Sequence, residues 1–243
     1  MITPDLRQMS HARLNRVDRR GRLVNRQASG RAVSGRAVYC RGVAADGEYW
    51  NHNVHYQRVI LEAVPAECGA AVDVGCGDGM LVRRLAGRCA LVTGIDADER
   101  MIEVARELGR GVPGLSFIRD DFLSHPFAEA GFDFACANTA LHHMDFAAAL
   151  ATMARLLRPG GRLAVVGLAR NGSIADWVIG GAGLPANVYY RRVKGEGNPG
   201  APVRDPEMTW SQVRRTAGRV LPGARYRRHL LWRYSIVWTK PAA

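Results

Sequence analysis

Residues 72–79 read Val-Asp-Val-Gly-Cys-Gly-Asp-Gly, a short apolar run that ends in three alternating glycines. The apolar run predicts a buried strand, and the pattern that begins at Met80 predicts a helix directly after the glycines. Glycine takes up positive φ angles and lets the backbone approach a ligand closely. The stretch therefore predicts a ligand-binding turn between a strand and a helix.

Short apolar runs and helical patterns alternate along the chain around this turn. Strands are predicted over residues 70–74, 91–95, 115–119, 132–137 and 163–168, and helices over residues 80–86, 100–108 and 146–157. Two further strands, over 225–232 and 234–239, are predicted to form a C-terminal antiparallel hairpin. The fold class predicted from this order is α/β, with a Rossmann-like, doubly wound, mostly parallel sheet of seven strands. Ligands bind at the carboxyl ends of the strands in such sheets.

The 243 residues favour one compact domain with additions. Residues 1–45 hold ten arginines but only two acidic residues, which predicts a basic, largely disordered arm ahead of a domain over 46–243. An apolar stripe at helical spacing over residues 54–64 predicts a helix before the first strand. Residues 170–208, rich in glycine and proline, are predicted to form an insertion on the substrate side, part helix and part loop.

Composition restricts the class of protein. The chain is 47% hydrophobic and 23% charged, as ordinary globular proteins are. No stretch approaches the roughly 20 apolar residues of a membrane span, and the five cysteines form no Cys-x-x-Cys pair, so a cytoplasmic location is expected. The formal charge of +12 is compatible with nucleic acid, acidic lipid or an anionic substrate. A GC-rich coding bias toward arginine would give the same charge.

Three acidic positions lie in or just after successive predicted strands. Asp73 precedes the glycine turn, where it would repel a pyrophosphate but attract an ammonium group. Asp96 comes about 20 residues after the turn, which suits binding to two ribose hydroxyls in nicotinamide and methyl-donor sites alike. Asp120 or Asp121 can accept from an adenine amino group. The third glycine of a dinucleotide fingerprint would fall at position 80, which is Met80, so NAD is the weaker alternative.

Five stretches resemble, in order and spacing, the class I S-adenosylmethionine-dependent methyltransferases. They are AVDVGCGDG (71–79), GIDADERMIEVAR (94–106), IRDDFLSHPF (118–127), FDFACANTALHHM (132–144) and LLRPGGRLAVVGL (156–168). The resemblance covers about residues 49–239 and implies S-adenosyl-L-methionine as the cofactor.

The resemblance also implies a role for each matched residue. The amino-acid end of the cofactor would lie on Asp73 and on the backbone of Gly75, Cys76 and Gly77, and Asn138 would lie close to it. The ribose and adenine would be held by the following residues: Asp96, Ala97, Met101, Asp121, Phe122 and, as an alternative to Asp121, Asp120. Taken singly, each has a structural reading too, such as a helix cap for Asp73 or core packing for Met101.

The acceptor is less constrained than the cofactor. His142 and His143 follow the fourth strand and are candidate bases, since histidine titrates in a suitable range. Enzymes of this fold that methylate base amino groups usually carry Asp/Asn-Pro-Pro-aromatic there, whereas residues 138–141 read Asn-Thr-Ala-Leu. A small-molecule acceptor and no metal are therefore expected. RNA or protein methylation through the basic arm, and an inactive cofactor-binding module, stay open as alternatives.

Two aromatic segments are expected around the substrate. Residues 49–56 resemble the N-terminal helix that closes over the cofactor in small-molecule members of the family. In this family the insertion usually builds the acceptor pocket, and here it contains the following aromatic and basic residues: Trp177, Tyr189, Tyr190, Arg191 and Arg192. Packing on the sheet is the alternative for residues 49–56, and a solvated basic surface explains the arginines equally well.

Overall fold

The computed structural model describes residues 48–197, 200 and 204–242, together with the backbone of two short strands nearer the N-terminus. These strands, β1 (Arg16–Val17) and β2 (Leu23–Val24), pair in antiparallel fashion. They belong to a compact unit of residues 1–37, and the remaining residues form a second unit. The rest of the predicted disordered arm over 1–45 lies outside the described residues.

The second unit is built on a sheet of seven strands, in the order β5-β4-β3-β6-β7-β9-β8. The first five strands of this order run parallel, and β9 is antiparallel to both β7 and β8. This arrangement confirms the predicted fold class. The strands are β3 (Ala70–Val74), β4 (Leu91–Asp96), β5 (Leu115–Arg119), β6 (Phe132–Asn138), β7 (Leu157–Gly167), β8 (Arg225–His229) and β9 (Arg233–Thr239).

The order in which strands are added to the sheet reverses between β3 and β6. Successive strands are added outward on both sides of this point, β4 and β5 on one side and β7 on the other. A crevice forms outside the carboxyl ends of the strands at such a switch point. The order of strands therefore places a binding crevice next to the glycine turn that follows β3.

Seven helices are described: α1 (His52–Ala63), α2 (Met80–Leu85), α3 (Glu99–Leu108), α4 (Phe146–Leu156), α5 (Ile174–Gly181), α6 (Leu184–Lys194) and α7 (Trp210–Val220). Side-chain caps fix several of their starting points. Asn51, Asp98, Asp145 and Thr209 each accept a hydrogen bond from a backbone N–H in the first turn of the helix that follows. Such caps satisfy N–H groups that have no partner within the helix.

Helices cover both faces of the sheet. Val72 and Val74 of β3 enter a core shared with α4 and α7, and Ala71 enters the opposite core, shared with α1 and α2. This alternation follows from the two-residue period of a strand. The face that carries Ala71 also carries Asp73, so this carboxyl is inserted into an otherwise apolar layer.

Residues 170–208 contain α5 and α6. Neither helix has a buried residue, and Ile174 and Trp177 are 85% and 70% exposed. Among the described residues, no helix combines the length and apolar character needed to cross a membrane.

Candidate active site

A cavity of about 930 Å³ lies at the carboxyl ends of β3, β4 and β6. Residues of α1, together with Glu196, Gly197, Gly200 and Arg204, complete its lining. Its size is in the range of small-ligand sites. Every site residue predicted from the sequence lines this cavity: Asp73, Gly75, Cys76, Gly77, Asp96, Ala97, Met101, Asp120, Asp121, Phe122, Asn138, His142 and His143.

The glycine turn after β3 is held against the neighbouring strand. The N–H groups of Gly75 and Cys76 both donate to the carbonyl of Ile95, at 2.8 and 3.1 Å. Gly75 has a φ of 67°, and a Cβ there would lie 2.2 Å from Cβ of Ala140, so no other residue fits. At Gly77, with a φ of 54°, an added Cβ would meet no atom within 4 Å. Gly77 therefore exposes its backbone to the open space of the cavity.

Asp96 is oriented by two backbone groups. Its Oδ2 accepts from the N–H of Gly77 at 2.8 Å, and its Oδ1 accepts from the N–H of Asp98 at 2.9 Å. Each carboxylate oxygen has two lone pairs, so each keeps one acceptor position. The carboxylate is therefore fixed in a position suited to two neighbouring hydroxyl groups.

Asp73 is a buried acid without a cationic partner among the described residues. Its carboxyl is 1% exposed and accepts from the Cys136 thiol at 3.5 Å. Burial, together with the negative charges of Asp96 and Asp78, raises the pKa of Asp73 to about 8. A cation bound in the cavity would favour its charged form.

Tyr49 and Asp78 form a second polar pair at the cavity. The Tyr49 hydroxyl donates to the Asp78 carboxylate, and burial followed by this negative charge raises the pKa of the phenol. Burial also raises the pKa of Asp78, which accepts from the N–H of Met80 at 3.2 Å. This pair connects the segment before α1 to the glycine turn.

The two acids after β5 differ in their partners. Asp120 accepts from Nδ1 of His125 at 2.7 Å, and this hydrogen bond lowers the pKa of the Asp120 carboxyl. Asp121 accepts from the N–H of Leu123 at 2.8 Å, a bond within its own turn. Phe122 is 3% exposed and packs in the core beneath the cavity. The carboxylate of Asp121 thus keeps more free acceptor positions than that of Asp120.

Strained backbone follows β6. Thr139 has a φ of 62°, and its N–H donates to the carbonyl of Val166 at 2.7 Å. A 3₁₀ turn over Leu141–His143 comes next, and the rings of His142 and His143 lie 4.1 Å apart. Burial lowers the pKa of His142 to about 4 and also lowers that of His143. Both imidazoles are therefore neutral at pH 7.

The aromatic residues of the insertion that the sequence suggested for the acceptor pocket do not line this cavity. Trp177 and Tyr189 are 70% and 61% exposed and lie outside the cavity lining, while Tyr190 stacks on Trp50 with ring centroids 5.8 Å apart. The segment after α6 supplies the lining instead, through Glu196, Gly197, Gly200 and Arg204. It is tied to the start of α1, because the N–H of Gly197 donates to the carbonyl of Trp50 at 2.8 Å.

Comparison with known proteins agrees with this geometry. The family model for a methyltransferase domain matches residues 72–165. An uncharacterised methyltransferase of Mycobacterium tuberculosis is 36% identical over 200 residues, which cover 79% of this chain and 98% of the relative. The chain belongs to the class I S-adenosylmethionine-dependent methyltransferases. It is a methyltransferase, and its cofactor is S-adenosyl-L-methionine.

Two further similarities concern parts of the molecule. The O-methyltransferase cnsE of Penicillium expansum is 43% identical over 109 residues, or 43% of this chain and 40% of the relative. The crystal structure of the N-methyltransferase NodS from Bradyrhizobium japonicum, in complex with S-adenosylhomocysteine, superposes with a TM-score of 0.53. It is 17% identical, and the match covers 79% of this chain and 89% of NodS.

The cavity of this methyltransferase fits the cofactor on its own geometry. Asp73 is a buried carboxyl whose charged form needs a cation, and the cofactor carries an ammonium group. Gly77 leaves open space above an exposed backbone, and Asp96 has an acceptor position free on each oxygen. Within residues 48–197, 200 and 204–242, no group of three or more His, Cys, Asp or Glu side chains is placed to hold a metal ion.

Proposed function

We propose that this methyltransferase transfers a methyl group to a small-molecule acceptor by direct in-line displacement. The observation that carries the proposal is one continuous cavity, which joins Asp73 and Asp96 at the strand ends to residues of α1 and to Glu196, Gly197 and Arg204. A cofactor and a small acceptor are thereby brought into one compartment. The O- and N-methyltransferase names of the similar proteins support a methyl-transfer reaction but differ in the atom methylated.

The residues at the strand ends hold the cofactor in this proposal. Asp73 stabilises the ammonium group, the backbone of residues 75–77 surrounds the amino-acid end, and Asp96 accepts from the ribose hydroxyls. The adenine lies among Ala97, Met101 and Phe122, with Asp121 accepting from its amino group. Asn138 lies beside the methionine part.

The opposite side of the cavity positions the acceptor. The sulfonium of the bound cofactor is already an activated electrophile, so the protein mainly has to align the acceptor and exclude water. Tyr49 and Asn53 approach from the segment before α1 and from its first turn, and Arg204 approaches from the insertion. These residues cover the crevice in which the acceptor would lie.

Calorimetric titration tests the proposal directly. Wild-type protein is expected to bind S-adenosylmethionine and S-adenosylhomocysteine with dissociation constants on the order of micromolar, and NAD far more weakly. A screen of small hydroxyl, amine and carbon acceptors, read by mass spectrometry for a gain of one methyl group, then tests turnover. A preference for NAD contradicts the cofactor site, and turnover confined to RNA or protein contradicts the small-molecule acceptor.

For a hydroxyl acceptor we propose His143 as the base. His142 is the more buried of the two histidines, and a pKa of about 4 makes it a weak proton acceptor. His143 is more exposed, and the negative charge of Asp96 favours its protonated form. His143→Asn is expected to lower kcat by about 10- to 100-fold and to remove the decline in rate at acidic pH.

His142→Asn is the matched control for this prediction. It is expected to retain the pH profile of the wild type, and both variants are expected to keep wild-type affinity for S-adenosylhomocysteine. If His143→Asn reduced kcat without changing the pH profile, the histidine would have a packing role and the assignment as base would be wrong.

A further inference from the structure

Arg233, the first residue of β9, is a buried cation that lines the cavity. It is 8% exposed. Its Nε and Nη2 both donate to Oδ1 of Asn53, at 3.0 and 2.6 Å, and its Nη1 donates to the carbonyls of Leu231 and Trp232 at 3.2 Å each. Nη2 carries two hydrogens, and one of them is left for a further acceptor.

The guanidinium charge has no carboxylate partner in the described part of the chain. The ion pairs within 4.0 Å there do not include Arg233, whose hydrogen-bond partners are all neutral. Burial lowers the pKa of Arg233 to about 10, so the side chain still carries its charge at pH 7. A buried charge is costly unless it is paired, and neutral dipoles compensate it only in part.

The backbone around Arg233 is shaped to hold this side chain. Trp232 adopts a φ of 54°, which is costly for a residue other than glycine. Its indole N–H donates to the carbonyl of Gly180 at 3.0 Å, which fixes the turn between β8 and β9. This turn directs the carbonyls of Leu231 and Trp232 onto the guanidinium.

Arg233 also lies close to the proposed site of methyl transfer. Its partner Asn53 lies against the end of β6, because the backbone carbonyl of Asn53 accepts from the side-chain amide of Asn138 at 3.3 Å. The positive charge of Arg233 contributes to the lowered pKa of His142. Six acids of the lining, by contrast, lie in or just after β3, β4 and β5: Asp73, Asp78, Asp96, Asp98, Asp120 and Asp121. A seventh, Glu196, follows α6 and pairs with Arg191 at 2.6 Å. Most of the acids of the lining thus lie at the cofactor positions, whereas Arg233 lies beside Asn53, which contacts the end of β6.

We propose that Arg233 binds a carboxylate, or an equivalent anionic oxygen group, of the acceptor. The inference rests on the proposed function, because it names the class of acceptor for the same cavity. A guanidinium held by Asn53 and two carbonyls presents its remaining N–H in a fixed direction, as recognition of a carboxylate requires. The exposed Arg204 also lies in the lining, where it is paired with Glu207 at 3.4 Å, so Arg233 is the cation on which the proposal rests.

Matched acids and amides test the proposal. With the enzyme saturated by S-adenosylhomocysteine, binding of benzoate, hydroxybenzoates, cinnamate and octanoate is compared by calorimetry with binding of their carboxamides. At least one acid is expected to bind about 10-fold more tightly than its amide, as one charge-assisted contact allows. Equal binding of acid and amide in every pair overturns the proposal.

Variants assign the preference to this arginine. Arg233→Gln is expected to abolish the preference for the acid, and Arg233→Lys, which keeps the charge without the planar geometry, to retain part of it. Arg227→Gln makes the same charge change at an exposed position on β8 and is expected to change nothing. If Arg233→Gln fails to fold, the lysine variant and the wild-type panel still decide the matter. A preference for the acid that is undiminished in either variant overturns the proposal.

Cofactor binding separates this inference from the function on which it rests. If the wild type does not bind S-adenosylhomocysteine, the proposed function fails. If Arg233→Gln weakens binding of S-adenosylhomocysteine but not of 5′-methylthioadenosine, which lacks the amino-acid end, the arginine binds the cofactor carboxylate and the inference is overturned. Unchanged affinity for both, with loss of the acid preference, supports it.

Discussion

Asp96→Ala is expected to weaken binding of S-adenosylhomocysteine by about 100-fold or more. The substitution removes both acceptor oxygens, and hydrogen bonds to a charged group contribute about 1.5–3 kcal/mol each. It also leaves the N–H groups of Gly77 and Asp98 without the partners that now lie at 2.8 and 2.9 Å, so the glycine turn loses its support. Calorimetric titration of the two proteins under the same conditions measures the difference.

Two variants show whether the loss belongs to the site. Asp145→Ala also removes a carboxylate that accepts from a backbone N–H, here as the cap of α4 and outside the cavity lining, and should leave affinity unchanged. Asp96→Asn keeps the shape but places an amide where two N–H donors converge, so an intermediate loss is expected. An Asp96→Ala protein that bound the ligand within about 3-fold of the wild type would rule out the ribose role.

The sheet was predictable because its strands carry strong local patterns. The predicted bounds of β3 and β5 coincide with those of the structure, and β4 and β6 end one residue later than predicted. β3 and β6 are mostly apolar and buried over most of their length, which is the pattern of a parallel strand covered on both faces, and turn residues mark the ends of all four strands. Local sequence and tertiary packing therefore require the same structure there.

The errors occur where backbone geometry depends on distant contacts. β7 begins at Leu157 rather than at residue 163, because a bulge opposite Phe132–Phe134 admits the Pro-Gly-Gly segment into the strand. β8 ends at His229 rather than at residue 232, because the chain turns at Trp232 with a positive φ. Neither glycine nor proline marks that turn, so the sequence gives no signal of it.

The residues of the site also differ in how far the sequence could predict them. Residues on the cofactor side directly follow strands, so fold and local motif together place them. Arg233 and Asn53 are 180 residues apart, and Arg233 is one arginine among many in a strongly basic chain. Tyr49 was singled out by its aromatic segment, but its pairing with Asp78 needs the folded structure.

Asp73→Asn is expected to stabilise the ligand-free protein while weakening its affinity for the cofactor by about 10-fold or more. Burial raises the folded-state pKa of Asp73 to about 8, well above the ordinary value of 3.8 for an aspartate. The unfolded chain therefore releases this proton first, and the carboxyl costs stability increasingly as pH rises from about 4 to about 8. The asparagine does not titrate, and its amide oxygen can still accept from the Cys136 thiol.

The gain in stability of Asp73→Asn should therefore be small near pH 4.5. At pH 8.5 the gain in the free energy of unfolding should reach up to several kcal/mol, and the Tm should rise by about 5 °C or more. Differential scanning calorimetry at both pH values checks this. Asp133→Asn is a control for which the opposite effect is expected. The hydrogen bonds that Asp133 accepts from Arg158 and from two backbone N–H groups lower the pKa of its carboxyl. Removal of this carboxylate should therefore destabilise the protein above about pH 4. Saturating S-adenosylhomocysteine should raise the Tm of the wild type more than that of Asp73→Asn. A gain in stability that did not depend on pH would mean that ionisation of the buried Asp73 carboxyl does not destabilise the ligand-free protein.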